Sequence, residues 1–367
     1  MNQNKTTSRE PLFHVVKRPE RSGRQMLLFR LGAVALSILA GGLFILAIGY
    51  NPIEIYGTIL NGAFRSKIAV QSTIKITIPL CISALGATLA FKMKFWNIGG
   101  EGQIIMGGVF ATYFALFHAD WPHLPLMIVC FLAGLIGGGV WGLIPALFKV
   151  KWNTNETLLT LMLNYIALYI ISWLQNGPWR DPAANGFPKI AAFAKSAVLG
   201  KVLGVQAGWI VMLVFTMLVW VYLKFTKQGY EVAVVGESQD TARYAGIHVK
   251  KVILRTMFLS GAIGGVCGML QACGTDATLS TGIAGGVGFT AIIVAWLCQL
   301  NPGMILVVSF LFGVLEKGSG VVQSSYGLST DCAAVLQGII LFFILASEFF
   351  VRYAFAGRSS AKGGKKA

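Results

Sequence analysis

The chain has 367 residues, of which 55% are hydrophobic and only 12% charged, and its mean hydropathy is +0.69. Soluble domains carry about 25% charged residues, so a water-soluble globular fold is excluded, and repeated apolar runs of about 20 residues mark helical membrane spans. The formal net charge of +16 does not point to nucleic acid, because the basic residues gather in short segments between apolar runs, as the positive-inside bias requires.

In chain order, residues 1–25 hold Lys5, Arg9, Lys17, Arg18, Arg21 and Arg24 and read as a basic cytoplasmic arm. No cleavable signal peptide is expected, since this arm is polar and the next apolar run is long enough to span. A first span is expected over roughly 26–49, ended by Asn51-Pro52, with 50–67 as an external loop. A second span covers about 68–91. The stretch Phe95-Trp96-Asn97-Ile98-Gly99-Gly100-Glu101-Gly102-Gln103 then leads into a third span ending near His118. Asp120-Trp121-Pro122 makes an external turn, and a fourth span over about 125–148 ends at Lys149 and Lys151. Asn153-Thr154-Asn155-Glu156 reads as a helix start: Asn or Thr can cap, and Glu suits the positive end of the helix dipole. The fifth span runs to about Gln175, and 176–207 form the longest external loop. A sixth span over 208–225 precedes a cytoplasmic loop at 227–251. Spans at about 253–273, 284–300, 303–322 and 332–355 complete a membrane domain over 26–356, followed by a basic tail at 357–367.

Lysines and arginines cluster in the arm, at 92–94, at 149–151, across 224–255 and from Arg352 onward. They outweigh the external Arg65, Lys67, Arg180, Lys189, Lys195 and Lys201. The bias predicts N-in, C-in topology with an even number of spans, about ten. The cysteines at 81, 130, 267, 273, 298 and 332 sit in apolar runs without a CxxC or Cys/His cluster. They read as buried, inert thiols with no metal role.

Two polar stretches interrupt this apolar chain. In the first, Asn97, Glu101 and Gln103 fall within seven residues, among Gly99, Gly100 and Gly102. Each unsatisfied polar group in lipid costs several kcal/mol, so such a break either lines a path or forms a tight turn that caps the next helix. Lys92 and Lys94 favour the turn, and the two uses are compatible. In the second, Ser238 can cap a short helix, Asp240 suits its first turn and Gly246 its end. Ala242 and Ala245 give it a smooth face beside Arg243 and Tyr244. About two turns of helix are not stable alone in water, so the segment needs a docking surface on its own bundle or on a partner subunit.

These two stretches carry a resemblance. Together with Asn155-Glu156-Thr157, Leu161-Met162-Leu163-Asn164-Tyr165-Ile166-Ala167, Gly286-Val287-Gly288-Phe289-Thr290-Ala291-Ile292 and Leu300-Asn301-Pro302, they make the chain resemble permease subunits of ABC transporters. The type is the ribose/branched-chain amino acid one, and within it the nucleoside or simple-sugar permeases. The likeness runs from about 50 to 355 and departs at Cys298 and Gln299, where the family often has a small residue and Arg. It implies an all-α, type II-like importer bundle in a bacterial plasma membrane. It also implies a separate ATPase subunit that binds ATP and Mg, an extracytoplasmic solute-binding protein, and a second homologous permease. The Gly-Gly-Glu-Gly-Gln form resembles the larger member of such a pair. The sequence itself contains no G-x-x-x-x-G-K-[ST] phosphate loop. By the resemblance, Gly236, Glu237, Ser238, Asp240, Ala242, Arg243, Tyr244, Ala245 and Gly246 form the coupling segment that transmits ATPase closure to the spans.

Candidate path residues are Asn97, Gly99, Gly100, Glu101, Gln103, Asn155, Glu156, Asn164, Gly288 and Phe289. Asn164 either bonds another helix or faces the path. Phe289 either stacks a nucleobase or packs. Glu101 binds substrate hydroxyls or the backbone N–H groups of its own turn. Glu316-Lys317 is an intramembrane charged pair, functional by default unless it snorkels to a nearby surface. His118 and His123 have no assigned role. The expected activity is alternating-access uptake of nucleosides, or next of a simple sugar such as ribose, with no catalytic residue in this chain. An ion-coupled transporter would want deep carboxylates, and only Glu316, with Glu101, Asp276 and Asp331 flanking loops, comes near. A membrane enzyme would want a clustered acid, base or nucleophile, and His14, His118, His123 and His248 are scattered.

Overall fold

A computed structural model describes residues 13–17, 23–329, 331, 335–336, 338–339, 342–343, 346 and 353–357. The expected span over 332–355, the basic arm and the tail lie mostly or wholly outside these residues. The chain divides into two units, residues 1–57 with 328–367, and residues 58–327.

In the first unit the strand Phe13–Lys17 pairs antiparallel with Tyr353–Gly357, and helix α1 covers Gly23–Ala47. The segment expected as an external loop over 50–67 is instead largely helical: α2 spans Pro52–Phe64, with residues up to Gly57 in this unit and the rest in the second. Helix α1 stops at Ala47, followed by Gly49 with φ 89°, so Asn51 and Pro52 do not end it but begin α2. The Asn51 side chain accepts from Ile53 N at 3.1 Å, and proline at the first helical position loses no needed donor.

The second unit contains α3 (Lys67–Lys92), α4 (Gly100–Phe117), α5 (His123–Trp152), α6 (Glu156–Asn176), α7 (Gly208–Phe225), α8 (Lys227–Glu237), α9 (Gln239–Tyr244), α10 (Val249–Leu270), α11 (Val287–Leu297) and α12 (Pro302–Tyr326). A π-helical turn, Gln271–Asp276, extends α10. Among the described residues six helices are long and apolar enough to cross a membrane, or seven if α1 and α2 count as one bent span. The protein is thus a multi-pass, mostly helical membrane protein. The expected span at 284–300 is shorter than its apolar run suggests. Gly285 and Gly286 hold positive φ of 55° and 81°, which delays α11 to Val287. Its 11 residues reach only about 17 Å, about half a bilayer core.

Helices α3 and α10 form the centre, with 78% and 72% of their apolar windows buried, against 17% for α7. Around them α4, α5 and α10 meet through glycine. A Cβ on Gly107 would overlap the backbone of Gly265, and one on Gly138 would overlap the Gly261 carbonyl. A Cβ on Gly142 would sit 2.7 Å from the Met257 carbonyl, and one on Gly86 2.9 Å from that of Ser260. Lipid tails are as apolar as the helices, so close backbone approach and dispersion hold the bundle.

Gly265→Ala should therefore destabilise the bundle by about 1–3 kcal/mol through overpacking. A Cβ at Gly320 meets nothing within 4 Å among the described residues, so Gly320→Ala should leave stability unchanged or slightly raised. Thermal unfolding of the two variants in detergent checks the contrast.

Candidate functional site

The break between α3 and α4 is built from side chains that satisfy one another. Lys94 takes a positive φ of 56° after α3, and the chain turns back into the bundle. Asn97, buried, pairs with Gln103 through both amide groups at 3.3 Å. Its Oδ1 also accepts from Gly99 N at 2.9 Å, and its Nδ2 donates to Ser260 Oγ at 3.3 Å. Ser260 in turn donates to the Gly86 carbonyl at 2.7 Å. Helix α6 clamps the same backbone. Asn164 Oδ1 accepts from Gly102 N at 2.8 Å, its Nδ2 donates to the Ile98 carbonyl at 2.9 Å, and Thr160 Oγ1 accepts from Ile98 N at 3.2 Å.

Glu101 reaches neither its own turn nor an open space. Its two carboxylate oxygens accept from Gly286 N at 2.7 Å and Gly288 N at 2.8 Å. These donors belong to the start of α11, where helical N–H groups lack intrahelical partners. Two helix starts, each the positive end of a dipole, thus meet at one carboxylate. Gly288 is required here because a Cβ would strike the Glu101 backbone, and a Cβ on Gly100 would come within 3.4 Å of the Gly288 carbonyl. At the other end of α11, Trp296 stacks on Trp96 with ring centroids 5.7 Å apart. The break therefore holds α11 at both ends.

The candidate path residues separate into two groups. Asn97, Gly99, Gly100, Glu101, Gln103, Asn164 and Gly288 come together in this junction. Asn155 and Glu156 do not: Asn155 caps α6 by accepting from Leu158 N at 3.2 Å, and Glu156 pairs with Lys149 at 2.9 Å. Phe289 is exposed next to the buried Gly288. A cavity of about 10 Å³ lies among Ser83, Asn97, Gln103, Ser260, Gly264 and Gly288. That is room for about one water, far below a ligand pocket of about 300 Å³ or more, so in this conformation the junction is packed rather than open. Thr160, Ser260 and Trp296 escaped the sequence reading. Thr160 carried a signal, since it lies one turn before Asn164 on the same helix face; Ser260 and Trp296 carried none.

The second polar stretch forms two helices, α8 and α9, parted at the extended Ser238. Helix α8 buries Gly229, Val232, Val235 and Gly236, and Glu231 pairs with Arg255 of α10 at 3.1 Å. Ser238 caps α9, accepting from Thr241 N at 3.2 Å, and Gly246 follows with φ 75°, both where the sequence places them. Helix α9 buries only Ala242. Tyr244 is 95% exposed, and the Arg243–Asp240 pair is exposed as well. The buried side packs with Ala90, Met93, Phe95, Ala146 and Met257. A Cβ on Gly236 would overlap the Lys92 carbonyl, so α8 rests on the residues that enter the break.

Among the described residues no group of three or more His, Cys, Asp or Glu gathers to hold a metal. The five described cysteines are free and buried; Cys332 lies outside the described residues.

Removing the Glu101 carboxylate leaves two N–H groups unpaired, each worth about 1–3 kcal/mol when buried. Glu101→Ala should lower the unfolding temperature in detergent more than Glu101→Gln, which keeps one acceptor. Asn164→Leu strips an acceptor and a donor together and should lower abundance in the membrane.

The model of the branched-chain amino acid transport system permease component matches residues 69–345. The chain is 30% identical over 344 residues to the guanosine ABC transporter permease protein NupP of Bacillus subtilis, covering 92% of this chain and 97% of that protein. It is 29% identical over 339 residues to the glucose ABC transporter permease protein TsgB13 of Haloferax volcanii, covering 88% and 89%. It is also 25% identical over 304 residues to the guanosine ABC transporter permease protein NupQ of Bacillus subtilis, covering 80% and 95%. With that match running from α3 to beyond α12, the chain belongs to the family of permease components of branched-chain amino acid transport systems.

Proposed function

We propose that this chain is the membrane permease subunit of an ATP-binding-cassette importer and forms the translocation path for nucleosides by alternating access. The observation that carries this reading is the kinship with NupP over 92% of the chain. ATP and Mg²⁺ are handled by a separate ATPase subunit, and an extracytoplasmic solute-binding protein delivers the substrate. A second, related permease completes the pair; this chain's likeness to both NupP and NupQ supports that reading. In this scheme both termini are cytoplasmic and about ten helices cross the membrane, in keeping with the basic residues at 92–94, 149–151 and 224–255. TsgB13, at 29% identity, supports a simple sugar as the second reading.

Helix α9 is the contact with the ATPase. It has one buried residue, so its free surface, with Tyr244, Arg243 and Asp240, is available to a partner. Helix α8 passes the movement on, because it packs against Lys92 and Phe95 at the entrance to the break. The switch is a rigid-body one. The packed junction of Asn97, Gln103, Glu101, Asn164 and Gly288 stands in this proposal as the support of the path.

Uptake of radiolabelled uridine and guanosine is to be compared in cells with and without the gene, challenged by excess adenosine, ribose, glucose or leucine. Gene-dependent uptake with competition by nucleosides alone is the expected result. Competition by glucose or ribose instead would move the substrate to sugars. The double variant Arg243→Glu with Ala245→Arg should abolish uptake while the protein stays in the membrane at normal abundance. Normal uptake by that variant would remove α9 from the coupling route.

A further inference from the structure

Helix α12 changes character halfway along. In the half next to Pro302 the exposed side chains are apolar: Met304, Val307 and Leu311 are 50%, 53% and 55% exposed. In the half next to Tyr326 the exposed ones are Glu316, Gln323, Ser324 and Ser325. Glu316 and Gln323 are seven residues apart and so share a face. Gly320 lies between them on that face, and a Cβ there would meet nothing within 4 Å among the described residues. Gly318 and Val322 are buried on the opposite side, Gly318 against Ile59, and Ser319, at the edge of the Glu316–Gln323 face, is buried too.

Glu316 makes no hydrogen bond or ion pair among the described residues, and neither does the Gln323 side chain. At 1.5 Å per residue Glu316 lies about 15 Å from Tyr326 and about 21 Å from Pro302, inside a helix apolar enough to span. A glutamate side chain is too short to reach an interface from there, whereas Lys317 beside it has a longer stem. Ionisable groups at such depth face a water-filled cavity or a polar partner, not hydrocarbon. The polar groups of the α4–α6–α11 junction are already bonded to one another and enclose room for about one water. On α12, by contrast, exposed polar side chains stand without a partner among the described residues.

We propose that the Glu316–Gly320–Gln323 face of α12 lines the translocation path and that the Glu316 carboxylate recognises the hydroxyl groups of the sugar in a neutral nucleoside. This rests on the transport reading above. An ionised carboxylate accepts and does not donate, so it suits a neutral polyol and repels a phosphorylated one.

The test uses the assembled transporter in membranes. Single substitutions Gly320→Cys, Gln323→Cys, Met304→Cys and Leu311→Cys are exposed to a charged, membrane-impermeant methanethiosulfonate. Labelling at Gly320→Cys and Gln323→Cys, reduced by excess uridine, with none at the other two, is expected. In parallel, Glu316→Gln should raise KM for uridine about tenfold, as loss of a hydrogen bond to a charged group does, with kcat little changed. Glu316→Asp should recover part of that loss. Absence of labelling at both positions, or cross-linking of Gly320→Cys to a second permease chain, would place this face against lipid or a subunit and overturn the proposal. Labelling with an unchanged KM in Glu316→Gln would overturn the recognition role. The labelling pattern does not depend on which solute is carried. A wild-type transporter that ignores uridine therefore sinks the nucleoside reading while the water path is still scored.

Discussion

One carboxylate meets the constraint that shapes this protein. A membrane interior offers no water to backbone N–H groups, yet α4 and α11 both begin inside the bundle and leave such groups without carbonyl partners. Glu101, at the start of α4, answers for α11 by accepting from Gly286 and Gly288. Its charge also opposes the two positive helix ends that meet there. The glycines follow from the same demand. Gly100 and Gly288 let the two helix starts touch, and Gly99 keeps a Cβ from crowding Asn97 and Thr160.

Around that contact the polar residues behave as one network. Asn97 and Gln103 hold the entry to α4, Ser260 fixes them to α10 and α3, and Asn164 with Thr160 fastens the backbone to α6. Buried polar networks are stable when every member is paired and weak when one is not. The α8–α9 segment meets the chain that enters this network at the Lys92 backbone and the buried Phe95, and meets α10 through the Glu231–Arg255 pair. Movement of α9 thus reaches the junction as movement of the chain that leads into it.

Much of this was legible in the sequence because local rules govern it. The Ser238 cap and the Gly246 stop lie where side-chain oxygen and positive φ are needed, and Asn155 caps α6 as its spacing suggests. Apolar periodicity located α3, α6, α7 and α12 within a few residues. What escaped depends on partners far along the chain. Glu101 and Gly286 are 185 residues apart, and nothing near Glu101 says whether its charge is for a ligand or for a helix start. The length of α11 escaped for a related reason. An apolar run does not reveal where its backbone leaves helical geometry, although Gly285 and Gly286 marked the place. Helix α2 escaped because Asn51-Pro52, a pair that suits a helix end as well as a start, begins a helix here, α1 having already stopped before Gly49.

The arrangement also limits how the bundle can move. Separating α4 from α11 would break both bonds of Glu101 at once and strip the Trp96–Trp296 stack. Separating α4 from α10 would open the glycine seam at Gly107, Gly265 and Gly268, where backbones lie in contact. Packed interfaces of this kind shift between discrete arrangements rather than deform, and the easiest shift spares them. Helices α4, α5, α10 and α11 with the break are therefore expected to travel together. The surfaces left to slide are those without such bonds, among them the lightly buried α7 and the half of α12 whose Glu316 and Gln323 side chains have no partner among the described residues.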